Sequence, residues 1–155
     1  MSFIVGSVYL LVDTQNQWRL FVAGSSNETS NANRTSVGTL YYPGSDLKSR
    51  QNLGVQPLSL PAPPVLILHL VNLLSSLHFK SVSSLDNHID RIVSGGDTGL
   101  PPRNESYWWF DILYRLHNGG IVHIDAATLA QRVRSETTNA FAILQRTGKS
   151  SYVNL

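Results

Sequence analysis

The side chains able to do chemistry in this chain are few and scattered. The five histidines, His69, His78, His88, His117 and His123, include no pair at i and i+4, so the sequence does not place two imidazoles on one helical face for a metal. Cysteine is absent, which removes a thiol nucleophile, a disulfide framework and a cysteine-ligated zinc site. Glu105 and Asp111 fall about two helical turns apart, a spacing that does not set them side by side as an acid/base pair. Ser106 would need a base at hand to act as a nucleophile, and it lacks the Gly-x-Ser-x-Gly elbow, so capping a helix is its plainer role. Gly95, Gly96 and Gly99 lack the strand–helix context of a phosphate loop, and no nucleotide cofactor is expected. What remains is aromatic. Tyr9, Trp18, Phe21, Tyr41, Tyr42, Tyr107, Trp108, Trp109 and Phe110 would line a concave apolar space if a sheet packs on the helix carrying the last four. They would equally serve as core, since large rings dominate cores. Three consecutive rings cannot all face inward, so Trp108 or Phe110 must approach the surface or a pocket.

The helix that positions those rings has both ends marked. Asn104 or Ser106 can accept from the free N–H groups of its first turn, and Gly119 can take the left-handed conformation after its last. Trp109, Ile112, Leu113 and Leu116 follow at i, i+3, i+4 and i+7, the spacing of a core-facing stripe. Phe3 to Val12 is apolar at odd and even positions alike, as expected of a strand covered on both faces. Asp13 to Asn16 forms a turn. Gln17 to Gly24 then alternates, with Trp18, Leu20 and Val22 on one face and Arg19, Phe21 and Ala23 on the other, which predicts a hairpin. Ser25 to Arg34 reads as a surface loop, with a lid over a pocket as one use for it.

Thr35 to Tyr42 returns to strand character, and a short strand is expected at Val55 to Leu60. Pro61 to Pro64 makes a stiff entry to a largely buried helix, in which Leu66, Leu70, Leu73, Leu74 and Leu77 keep helical spacing and His69, Asn72 and Ser76 mark a polar edge. A short helix is expected at Ser84 to Val93. Asp125 caps a long helix whose stripe runs Ala126, Leu129, Ala130, Val133, Thr137, Ala140, Phe141 and Leu144, and Gly148 stops it. The tail from Lys149 to Leu155 is expected to be loosely ordered. Strands first and helices after argue an α+β fold: one domain over residues 1–155, with an antiparallel sheet packed against three to four helices.

At 155 residues the chain is long enough to bury a sizeable core without disulfides or metals. Its net charge is +2 and its twelve basic residues form no run, so a phosphate-tracking surface is not expected and nucleic acid is a poor partner. No basic segment precedes the apolar N-terminus, and the run from Val65 to Leu74 is too short to span a bilayer. No membrane partner is expected, and a cytoplasmic location is the default.

Asn16-Gln17-Trp18-Arg19-Leu20-Phe21-Val22, a strand near Val37, a leucine-rich helix and a Gly-rich loop leading to Ser106-Tyr107-Trp108-Trp109 together resemble a small fungal domain family of unknown function. Its members carry His-Trp-Arg on the early strand and Gly-Cys-Arg-Phe-Trp at the helix start, a permuted papain-like arrangement. Here Gln17 stands at the His position and Ser106 at the Cys position, which removes the thiolate and its base. Such proteins are similar to stand-alone pericyclases of secondary metabolism, norbornene-forming Diels–Alderases among them.

The resemblance implies a cofactor-independent cyclase that folds a hydrophobic polyene-like or terpenoid molecule in an aromatic pocket. Such a reaction needs no metal, only walls and a donor or two on a carbonyl. On that reading Arg19, Gln17, Tyr107 and His123 supply the donors. Tyr9, Trp18, Phe21, Tyr41, Trp108, Trp109 and Phe110 bind substrate. A non-catalytic module for an apolar ligand or a partner protein is the second reading, and a serine hydrolase using Ser106 the third. A homodimer is compatible with each.

Overall fold

The computed structural model describes residues 3–4, 6–23, 34–35, 38–41, 64–72, 87–89, 91–92 and 105–155, with backbone alone at 3, 34–35, 39 and 105–111. The expected strand at Val55 to Leu60, Tyr42 and all of the expected loop Ser25 to Arg34 except its last residue lie outside these residues; Arg34 itself pairs in a short strand with Ile4, so the loop ends before it.

Strand β2, Ser7–Asp13, is buried along its whole length, as an apolar run without alternation requires. Gly6, at φ 81°, separates it from the two-residue strand β1, Phe3–Ile4, where the sequence suggests one continuous strand. The predicted hairpin forms: β3, Trp18–Ala23, pairs antiparallel with β2. Its turn is held by Asp13, whose Oδ1 accepts from the backbone N–H of Gln15 and of Gln17, each at 2.9 Å, while Asn16 takes the left-handed conformation at φ 58°. Asn is among the few residues that adopt that conformation readily. Strand β4, Arg34–Thr35, pairs with β1, and β5, Gly38–Tyr41, pairs with β3. A side chain at residue 38 would collide with the Val22 carbonyl and the Phe21 ring, so only Gly fits there.

Two segments depart from the sequence reading. Residues 64–72, expected in a buried helix, form strand β6, Pro64–Asn72, antiparallel to β2. The leucine spacing at 66 and 70 satisfies both periods, and the run Val65 to Val71 is apolar enough for a strand buried in mid-sheet. Leu73, Leu74 and Leu77 lie outside the described residues. The tail is ordered: Ser151–Asn154 forms β7, parallel to β6. The main sheet therefore runs β5-β3-β2-β6-β7 and is antiparallel except at its last pairing.

Helix α1, Glu105–Asn118, and helix α2, Ala126–Thr147, follow, and 87–89 and 91–92 are helical within the predicted short helix. Ile112, Leu113 and Leu116 are buried as the stripe predicts. The left-handed residue after α1 is Gly120, at φ 76°, in place of Gly119. Gly119 instead packs beside Ile92, whose Cδ1 would lie 2.8 Å from an added Cβ. Asp125 caps α2 through Thr128, and Gly148, at φ 70°, closes it by donating to the Leu144 carbonyl. Among the described residues no helix is long and apolar enough to cross a membrane.

The sheet has two different faces. Val8, Leu10, Val12, Leu20, Val22, Leu66 and Leu68 join the buried stripes of α1 and α2 in one core. Each such side chain contributes about 1.5–3 kcal/mol by leaving water. Tyr9, Leu11, Phe21, Ala23, Leu40 and Ile67 form a second, smaller cluster on the opposite face.

Candidate functional site

A polar line crosses the second face where β2, β6 and β7 lie side by side. The Ser7 Oγ is 3.0 Å from His69 Nε2, and His69 Nδ1 is 3.1 Å from Asn154 Oδ1. Asn72 Nδ2 donates to the same Ser7 Oγ at 2.9 Å. Ser7 is fully buried, His69 and Asn72 are half-buried and Asn154 is exposed, so the line opens to solvent at its Asn154 end.

The backbone explains how these residues meet. In a regular strand, positions 69 and 72 would face opposite sides of the sheet. Here Ser7 pairs with Asn72 and Val8 with Val71, but Tyr9 pairs with His69, so β6 carries one more residue than β2 across this stretch. That bulge turns His69 and Asn72 to the face of Ser7 and Tyr9. Strand β7 then brings Asn154 level with His69. The Tyr9 ring packs against the imidazole, with centroids 5.0 Å apart, and its hydroxyl accepts from the Ile4 N–H at 2.9 Å. Phe21 lies behind Tyr9 at 6.4 Å.

The donors and acceptors set a proton order for the neutral ring. The Asn154 Oδ1 can only accept, so its contact takes the proton of His69 Nδ1, and in the neutral imidazole Nε2 then carries the lone pair toward Ser7. In that form the Ser7 hydroxyl donates to Nε2 and accepts from Asn72. Nucleophile, base and orienting group stand in the sequence that nucleophilic catalysis uses, at distances within its usual reach of about 2.6–3.2 Å.

The residues singled out from the sequence are distributed differently. Trp18 and Tyr41 are packed in the core beneath the helices, with 7% and 1% exposure, while Tyr9 and Phe21 are wholly buried on the other face. The sheet itself separates these two pairs of rings. Gln17 and Arg19 are together: Arg19 Nη2 donates to Gln17 Oε1 at 2.6 Å, and its Nη1 to the Trp18 carbonyl at 2.8 Å. His123 is exposed in the connection between α1 and α2, on a different element from that pair. The side chains of Ser106, Tyr107, Trp108, Trp109 and Phe110 lie outside the described residues. Among the described residues no group of three His, Asp or Glu side chains is placed to hold a metal ion.

Ser7 and Asn154 carry no sequence signal of their own. His69 and Asn72 are marked in the sequence only as part of the polar edge of an expected helix. No protein-family model, curated protein or solved structure matches the chain.

Proposed function

We propose that this chain is a cofactor-independent serine hydrolase or acyl-transfer enzyme acting on hydrophobic esters, with Ser7 as nucleophile, His69 as base and Asn154 as the group that orients the imidazole. The observation that supports this is the alignment of Ser7 Oγ, the His69 ring and Asn154 Oδ1 across three strands, at 3.0 and 3.1 Å. Ser7 and His69 are 62 residues apart and His69 and Asn154 85, so local chain geometry alone does not bring them together. The serine reading made from the sequence thus moves from Ser106 to Ser7.

In the reaction, the Ser7 Oγ bonds to the ester carbonyl carbon as its proton passes to His69 Nε2. The alkoxide leaves with the C–O bond's electron pair and takes that proton. Water then attacks the acyl-enzyme by the same proton route, releasing the acid and restoring Ser7. The neutral Asn154 keeps the ring in place while Nε2 is protonated. The apolar surroundings, Tyr9, Leu11, Ile67 and the partly exposed Tyr152, favour an acyl chain over a charged substrate. Because Ser7 is buried in this state, substrate entry has to move part of its cover.

The test is covalent labelling with a fluorophosphonate and intact-protein mass spectrometry. One adduct, mapped to Ser7 and lost in Ser7→Ala and His69→Ala, is expected. An unlabelled wild type, or an adduct that survives Ser7→Ala, would overturn the reading.

A second proposal keeps the cyclase suggested by the fungal resemblance, supported by Arg19 and Gln17, two of its expected donors, being brought together by a hydrogen bond. Conversion of linear polyenes to cyclised product, with Arg19→Ala scrambling the product ratio, tests it; no rate above the buffer reaction would remove it.

A further inference from the structure

We infer that Asn72 is a catalytic residue of the same site, the side-chain donor that stabilises the oxyanion formed when Ser7 attacks a carbonyl; this inference rests on the serine reading above. An acyl-transfer site needs a nucleophile, a base and at least one N–H aimed where negative charge develops. The first two are supplied by Ser7 and His69. The third has to lie close to Oγ, because the carbonyl oxygen and Oγ become bonded to the same carbon.

Asn72 meets that requirement. Its Nδ2 donates to the Ser7 Oγ at 2.9 Å, the same oxygen that lies 3.0 Å from His69 Nε2. As Oγ attacks and gives up its lone pair to carbon, the amide N–H loses its acceptor. The new oxyanion is one bond angle away, and a small rotation of the side chain brings the donor onto it at the usual 2.7–3.1 Å or so. Asn72 is half-buried and Ser7 fully buried, so the charge would form where water screens it little and one N–H counts for more.

The bulge in β6 gives the placement a second support. Without the extra residue, β6 could present His69 or Asn72 to Ser7, not both. A network serving only to tie β2 to β6 needs one such partner. Base and donor on one hydroxyl together make the arrangement that acyl transfer needs.

The experiment is steady-state hydrolysis of p-nitrophenyl octanoate by the full chain, with thermal melts recorded for each variant. Asn72→Ala and the near-isosteric Asn72→Asp, which cannot donate when ionised, should each lower kcat on the order of 10²–10³-fold with KM little changed. The Asp variant keeps the shape and is expected to melt near the wild type, so its loss of kcat would not be a loss of fold. Wild-type kcat in Asn72→Asp, with Ser7→Ala inactive, would sink the role of Asn72 and leave the nucleophile standing. Full activity in Ser7→Ala, or a wild type inert toward both the ester and the fluorophosphonate, would sink both.

Discussion

The two faces of the central sheet are built from the same strands and are put to different uses. Toward the helices, Val8, Leu10, Leu66 and Leu68 pack with the apolar stripes of α1 and α2. On the other side Ser7, His69, Asn72 and Asn154 join in hydrogen bonds, and the register shift between Val8 and Tyr9 is what turns His69 and Asn72 to that side together. An apolar face is the cheaper way to hold a sheet together, since each polar group taken from water has to find a partner. The polar face is where a local rule is broken, and a departure of that kind is where a functional site is expected.

Mutations should separate the two faces by kind of effect. The largest is expected from Ser7→Ala or His69→Ala, which should lower ester hydrolysis on the order of 10⁴-fold or more while the protein still melts cooperatively. Comparable activity in either variant would return the polar face to a structural role. Leu68→Ala, one residue away on the helix side, should do the reverse. It is expected to cost about 2–5 kcal/mol in denaturant unfolding, with kcat per folded molecule preserved.

Smaller effects probe how the sheet is folded rather than what it carries. Asp13→Ala strips the hairpin turn of the acceptor for two backbone N–H groups and should cost about 1–3 kcal/mol. Gly120→Ala forces a side chain into a left-handed position and should cost about 1–2 kcal/mol.

The smallest concerns acid. The Thr128 backbone N–H, then the Thr128 hydroxyl, hold the Asp125 carboxyl below its ordinary value, so the cap favours the ionised form in the folded state. A depressed carboxyl contributes stability that is present above its unfolded pKa and lost as pH falls through its folded one. The melting difference between wild type and Asp125→Asn should therefore shrink on moving from neutral pH into the acid range below ordinary carboxylates. A difference constant across that range would show that the cap does not depend on charge.

Much of the fold could be read from short-range pattern. The hairpin followed from the alternation of Trp18, Leu20 and Val22 after a turn headed by Asp13, and α2 from a capping Asp, a five-turn stripe and a closing Gly. These signals are local: each needs only residues within a few positions. Strand β6 is not legible in this way, because leucines at 66 and 70 fit a helix as well as a strand, and neither Pro64 nor the neighbouring sequence settles the choice. The candidate site was hidden for the same reason. It depends on a bulge that no single residue type announces, and on a parallel pairing between β6 and a tail of ordinary polar composition.

That parallel pairing also sets when the site can exist. Asn154 reaches His69 across 85 residues of chain, one of the longest loops this fold has to close. Contacts of that separation repay their chain entropy only after nearer ones have formed, so β7 is expected to join the sheet after the β2–β3 hairpin and the α1–α2 pair. A refolding chain would then acquire its secondary structure before its reactivity. Labelling of Ser7, followed in time beside far-ultraviolet circular dichroism, would make the site a clock for the last step of folding.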